Sequence, residues 1–101
     1  MSAHYRVAFT AQVPAGIDGS DGAALAEALR RMPGIERVDA VDGDPGPGRI
    51  SAIFWIAARL GMAEAARDGS RLAKEGLKVA GLYDSLLVEL SVSLRDHDAE
   101  A

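Results

Sequence analysis

IERVDAVDGDPGPGRISAIFWIAA, residues 35–58, is the stretch whose reading decides the fold. Its middle, DGDPGPG at 42–48, places two Pro and three Gly within seven positions and reads as a long hairpin connection. The run after it is apolar on both sides. Ile50, Ala52, Phe54 and Ile56 fall on one face, and Ile53, Trp55 and Ala57 on the other. A strand of that kind belongs in the interior of a sheet. The run before it, residues 35–41, carries Glu36, Arg37 and Asp39, and mixed charge on a short strand fits a sheet edge. The stretch therefore reads as one hairpin, with one central and one peripheral strand.

Working outward, residues 5–13 alternate with period two. Tyr5, Val7, Phe9, Ala11 and Val13 share one face, and Arg6, Ala8, Thr10 and Gln12 the other. PAGIDGSDG, residues 14–22, breaks this strand. A helix follows, with Ser20 or Asp21 expected as its cap, Leu25, Ala28, Leu29 and Met32 as its apolar stripe, and Pro33-Gly34 as its stop. On the other side of the hairpin, residues 61–81 read as a longer helix with Met62, Ala65, Gly69, Leu72, Gly76 and Leu77 at helical spacing. Gly69 and Gly76 sit on its apolar stripe, where each costs about 1 kcal/mol relative to Ala, and close approach to the sheet is the expected compensation. The last strand is read as alternating strictly. Leu86, Val88, Leu90, Val92 and Leu94 are assigned inward, and Leu87, Glu89, Ser91, Ser93 and Arg95 outward.

The order β-α-β-β-α-β is the split βαβ arrangement. It predicts an α+β fold, a four-stranded antiparallel sheet in order 4-1-3-2 with both helices on one face. The chain resembles the ferredoxin-like superfamily, the α/β plaits, over nearly its whole length. Residues 1–95 are expected to form a single domain, and residues 96–101 a flexible acidic tail.

One sheet face is left without helices. Arg6, Ala8, Thr10 and Gln12, then Ser51, Ile53, Trp55 and Ala57, and Leu87, Glu89, Ser91, Ser93 and Arg95 are assigned to it, with Ala8, Ile53, Trp55 and Leu87 as an apolar centre. Parallel pairing of the first and third strands would put Trp55 near Thr10, and Glu89 and Arg6 are candidates for an ion pair across the face. A large Trp among small residues suggests a covered surface. For plaits the covering is commonly a second copy of the same sheet, which makes a homodimer the expected partner state.

Composition narrows the chemistry. The net charge is −4, but Asp96, Asp98 and Glu100 lie at the very end, leaving eleven basic against twelve acidic side chains in the rest. A nearly neutral body with Trp55 as the sole open-face aromatic argues against nucleic acid. The longest nearly apolar stretch, residues 50–58, is too short to span a bilayer, and no leader pattern opens the chain, so a cytoplasmic location is expected. Nine Arg against two Lys, with 19 Ala, suggest a GC-rich bacterial genome. The absence of cysteine removes thiol catalysis and zinc–thiolate sites.

MPGIERVD, residues 32–39, looks like the end of helix one and start of strand two in heavy-metal-associated domains. Those domains bind metal through a Cys pair before helix one, which this chain lacks. Asp39, Asp42 and Asp44 fall short of a calcium loop. The glycines of residues 14–22 resemble, at fold level, the ligand loop of ACT domains, but Asp18 and Asp21 there would repel phosphate. No metal or cofactor is therefore expected. His4, at the start of strand one, reads as a solvated terminal residue, and no Ser, His and acid fall together by spacing.

Two functions follow. The first is a non-catalytic binding or assembly module that dimerises through its open sheet face and holds at most a small ligand. The alternative is a dimeric α+β barrel enzyme of the small monooxygenase or isomerase type, similar to others of this topology. In both, the residues that matter are Arg6, Thr10, Gln12, Ile53, Trp55 and Glu89. Because residues 96–101 add no patterned apolar side chain, deleting them should shift the melting temperature by less than about 5 °C in a thermal scan.

Overall fold

The strand predicted to be central is central. A computed structural model describes residues 3–94, in the order β1 (Ala3–Gln12), α1 (Gly19–Arg30), β2 (Ile35–Asp44), β3 (Arg49–Ala58), α2 (Met62–Val79) and β4 (Leu86–Leu94). The sheet order is β2-β3-β1-β4, with every neighbouring pair antiparallel, which is the expected plait. The acidic tail and Arg95 lie outside the described residues.

The core is the helix-facing side of β1 and β3. Val7, Ile50 and Phe54 are fully buried there, and Phe9 meets Phe54 edge to face with centroids 6.2 Å apart. Such a ring pair adds about 0.5–1.5 kcal/mol beyond the area it buries. From α1, Leu25 and Leu29 close the core, and α2 contributes Ala65, Leu72, Ala73 and Leu77. No buried side-chain polar atom among the described residues lacks a partner.

Four local expectations need correction. The α1 cap is Asp18: its carboxylate accepts from Ser20 N–H at 2.8 Å, while Asp21 Oδ2 accepts from Asp18 N–H at 2.8 Å. Such a reciprocal box satisfies two orphan donors, which neither Ser20 nor Asp21 does alone. The hairpin is tighter than expected, because β2 continues to Asp44 opposite Arg49. Gly48 makes the return possible. Its φ is +70°, its carbonyl accepts from Val13 N–H at 2.7 Å, and a Cβ would lie 2.8 Å from Val13 O.

The third correction concerns pairing. β1 and β3 run antiparallel, so Trp55 stands opposite Arg6, and Thr10 opposite Ser51. Strand directions in a βαββαβ plait require this, since the hairpin reverses β3 relative to β2. Fourth, β4 does not alternate strictly. Thr10 pairs with Glu89 and Ala11 with Leu87, so Val88 is an extra, bulged residue. A bulge flips the strand beyond it. Leu87 turns to the helix side and packs on the core, Leu86 joins the open face opposite Gln12, and Leu86 and Val88 are 61% and 51% exposed. Leu87 is therefore not part of the open-face centre.

The two stripe glycines of α2 do permit close approach. A Cβ on Gly69 would stand 3.0 Å from Val7 Cγ2, and one on Gly76 2.6 Å from Leu29 Cδ2. Gly76→Ala gains about 1 kcal/mol of helix propensity, but overpacking against fully buried Leu29 costs about 1–3 kcal/mol. Gly22, inside α1, has nothing within 4 Å of the same position. Thermal unfolding should therefore show Gly22→Ala raising the melting temperature and Gly76→Ala lowering it.

Candidate functional site on the open sheet face

Antiparallel register arranges the open face in rows across the strands. One row is Arg37–Trp55–Arg6–Ser93, the next Ala40–Ile53–Ala8–Ser91, the next Asp42–Ser51–Thr10–Glu89, and the last Asp44–Arg49–Gln12–Leu86. Large side chains occupy the two outer rows, and the middle rows are mostly small. The result is a hollow of about 330 Å³ over Ala8, Thr10, Ser51, Ile53, Glu89 and Ser91. The gap between the long charged side chains of α2, beside Arg67, Arg71 and Lys74, has no comparable floor of strand residues.

The Trp55 end is the more organised. Two bulges on β2, at Glu36 and Asp39, bring extra residues to the strand beside Trp55. The indole N–H of Trp55 donates to Asp39 Oδ2 at 2.6 Å, and Arg37 Nε–H donates to Asp39 Oδ1 at 2.8 Å. The Arg37 guanidinium carbon lies 5.3 Å from the Trp55 ring centroid, a cation–π distance. The Trp55 hydrogen bond, and then Arg37, hold the Asp39 carboxyl below its ordinary value; desolvation opposes them, and Arg6 adds a smaller attraction. Arg37 and Asp39 thus hold the Trp55 ring from β2, and Arg6 stands opposite Trp55 on β1. Arg6 forms no salt bridge among the described residues. His4 Nδ1 lies 2.9 Å from Glu36 Oε1 and borders a smaller hollow with Arg37 and Trp55.

Of the six residues singled out in the sequence, all lie on strands β1, β3 and β4 of this face, but they do not form one cluster. Thr10 and Ser51 share a hydrogen bond of 3.0 Å in the hollow, with Ile53 and Glu89 beside them. Arg6 and Trp55 stand in the first row. Gln12 is committed to structure: its amide donates to Pro47 O at 2.6 Å and its Oε1 accepts from Arg49 at 3.1 Å, bracing the hairpin. The expected Glu89–Arg6 pair does not form, because Glu89 faces Thr10 and Arg6 faces Ser93. Asp39, Arg37 and Ser51 were missed as site residues. Ser51 was legible from strand parity; Asp39 was not, since its contact with the Trp55 indole depends on how β2 is paired with β3. His4 is tied to Glu36 rather than merely solvated.

Among the described residues no group of three or more His, Cys, Asp and Glu comes together as metal ligands. No helix among them is long and apolar enough to cross a membrane.

Comparison with known proteins bears on fold more than on sequence. No family model matches the chain, and no curated protein matches it in sequence. Among solved structures it is similar to one described as a "putative Antibiotic biosynthesis monooxygenase from Chloroflexus aurantiacus J-10-fl". The TM-score is 0.52 at 16% identity, covering 92% of this chain and 93% of that one. The plait is thereby shared from end to end. This neighbour corrects the first functional expectation: a non-catalytic module is not what the comparison favours, and the enzymatic alternative is.

Trp55 is the chain's single tryptophan, so its fluorescence reports on Asp39 directly. Because the folded carboxyl titrates below its unfolded value, the Asp39–Trp55 contact contributes fully above the ordinary aspartate range and is lost as pH falls through the depressed value. Emission should therefore stay constant on acidification until below the usual aspartate midpoint, then change in a step that Asp39→Asn abolishes.

Proposed function

We propose that this chain is an enzyme of the small monooxygenase type. It acts as a two-fold dimer whose open sheet faces meet, with substrate held between them. The observation that carries the reading is the size pattern of the open face. Two such faces touching through the Trp55 and Gln12–Arg49 rows leave their central rows apart, since facing sheets stand about 10 Å from each other and Ala8, Thr10, Ser51 and Ser91 fill little of that gap. The space is floored by Ile53 and lined by hydroxyls and Glu89, the mix of apolar wall and few polar groups typical of ligand sites. The shared fold with the structure described as a putative monooxygenase supports the enzymatic part of this reading.

The chain's own groups suit an electron-rich, hydroxylated ring. Ile53 and the Trp55 edge offer apolar contact, Thr10 and Ser51 hydrogen-bond an oxygen at one end of the ring, and Arg6, two rows away, stabilises an oxyanion at the other end. Glu89 stands beside the hollow as proton acceptor. Insertion of one oxygen atom of dioxygen into such a substrate, at the ring carbon opposite its oxygen, releases the other as water. The step balances with no external reductant when that carbon becomes a second carbonyl: a phenol and dioxygen give a quinone and water. The substrate supplies all four electrons that dioxygen takes up.

Native mass spectrometry of the purified protein should show a dimer and any small molecule that co-purifies with it. Trp55→Ala truncates an aromatic anchor at the interface, and such anchors cost about 2 kcal/mol or more, roughly a 30-fold weaker dimer. Oxygen-electrode assays with a panel of phenols and hydroquinones should find consumption that falls at least about tenfold in Arg6→Ala with unchanged far-UV circular dichroism. A wild-type protein monomeric at micromolar concentration, and inert across the panel, would overturn the reading.

A further inference from the structure

Sheet edges usually carry some device against pairing with other chains. β2 carries several: bulges at Glu36 and Asp39, and charges at Glu36, Arg37, Asp39, Asp42 and Asp44. The opposite edge, β4, carries almost none. Between Leu86 and Leu94 its one ionisable residue is Glu89, and its one bulge lies at Val88, leaving the run from Glu89 to Leu94 regular. On its helix side Leu90 and Leu94 are 36% and 53% exposed. Among the described residues its only strand neighbour is β1, so half of its backbone N–H and C=O groups point away from the sheet.

We propose that β4 is a pairing edge for a second copy of this chain, joining two four-stranded sheets into one antiparallel sheet of eight. The occupant follows from the sequence of the edge itself. Leu90-Ser-Val-Ser-Leu94 reads the same in both directions. A two-fold axis at Val92 sets Leu90 opposite Leu94 of the second copy, Ser91 opposite its Ser93, and Val92 opposite its own equivalent. Aliphatic then meets aliphatic on the helix side, and hydroxyl meets hydroxyl on the open side, both favourable cross-strand pairs. A two-fold contact requires such self-complementarity, because the same surface serves both partners. Centring the axis on Glu89 would instead oppose two carboxylates, which disfavours that register. The edge lies beside the open face and not on it, so this contact does not depend on the dimer through that face.

The chain contains no cysteine, so Val92→Cys places a single thiol on the proposed axis. A disulfide requires Cα atoms within about 7 Å, which edge pairing supplies at position 92. Face-to-face packing does not, because Val92 points to the helix side opposite Val7. On mild oxidation, folded Val92→Cys should run as a covalent dimer that reductant splits, whereas Ser20→Cys, exposed at the start of α1, should not. Leu90→Lys should halve the sedimenting mass while keeping the circular dichroism. Hydrogen exchange on the unmutated protein gives a readout independent of the cysteine: the outward amides of β4 should exchange at least about tenfold more slowly than in Leu90→Lys. A folded Val92→Cys that stays uncross-linked would sink the proposal, as would wild-type β4 amides exchanging as fast as the variant's. Slow exchange in a protein that sediments as a single chain would also overturn it, since something other than a second copy would then occupy the edge.

Discussion

The contact of α2 with β1 at Gly69 over Val7 sets the geometry on which the rest of this molecule depends. The missing Cβ lets the helix backbone come down onto the valine methyls. Gly76 repeats the device against Leu29 of α1, so one helix closes on the sheet and on its neighbour together. Each glycine lowers helix propensity, and the loss is offset by burial of Val7, Leu25, Leu29 and Leu72 at or below 2% exposure. With both helices drawn to one side, the other side of the sheet is left without cover. The open face is the consequence of that one-sided packing.

What the open face can do is decided by irregularities in its strands. A regular β2 would keep Arg37, Asp39 and Val41 on one side; the bulge at Asp39 leaves Arg37 and Asp39 at Trp55 and turns Val41 to pack on the core with Val38. A regular β4 would set Leu87 opposite Gln12 on the open face; its bulge puts Leu86 there and turns Leu87 onto the core. Both devices lie on outer strands, where an extra residue disturbs only one ladder. The inner pair β1–β3 stays in continuous register from Ala3 opposite Ala58 to Gln12 opposite Arg49, and so serves as the rigid base beneath the site.

The electrostatics of the face are local. Asp39 is exposed, yet two donors hold its charge and fix the indole edge of Trp55. Fixing that ring matters more for function than the small stabilisation an exposed pair supplies. Arg6, across from Trp55 on the next strand, is left with a charge that no carboxylate neutralises in a salt bridge among the described residues. Its guanidinium stands at the Trp55 end of the face, two rows from the hydroxyls of Thr10 and Ser51.

Periodicity made much of this legible from residues alone. Alternation in residues 5–13 and 49–58 fixed which side chains of β1 and β3 are buried, because a strand's two faces follow from counting within that strand. The charges of β2 marked it as an edge, and the apolar stripe of residues 61–81 placed Gly69 and Gly76 against the core. The pairing of Trp55 with Arg6 needed strand direction to be carried through the hairpin correctly, and parallel pairing misplaced it. Asp39 at Trp55, the turning of Leu86 and Leu87, and the commitment of Gln12 to the hairpin could come only from tertiary structure. A bulge is a mismatch in residue count between two strands, and neither strand's own sequence contains that number. The same holds for a side chain whose partner lies 16 residues away in Asp39–Trp55 or 35 in Gln12–Pro47: its role is set when the chain closes, not when it is read.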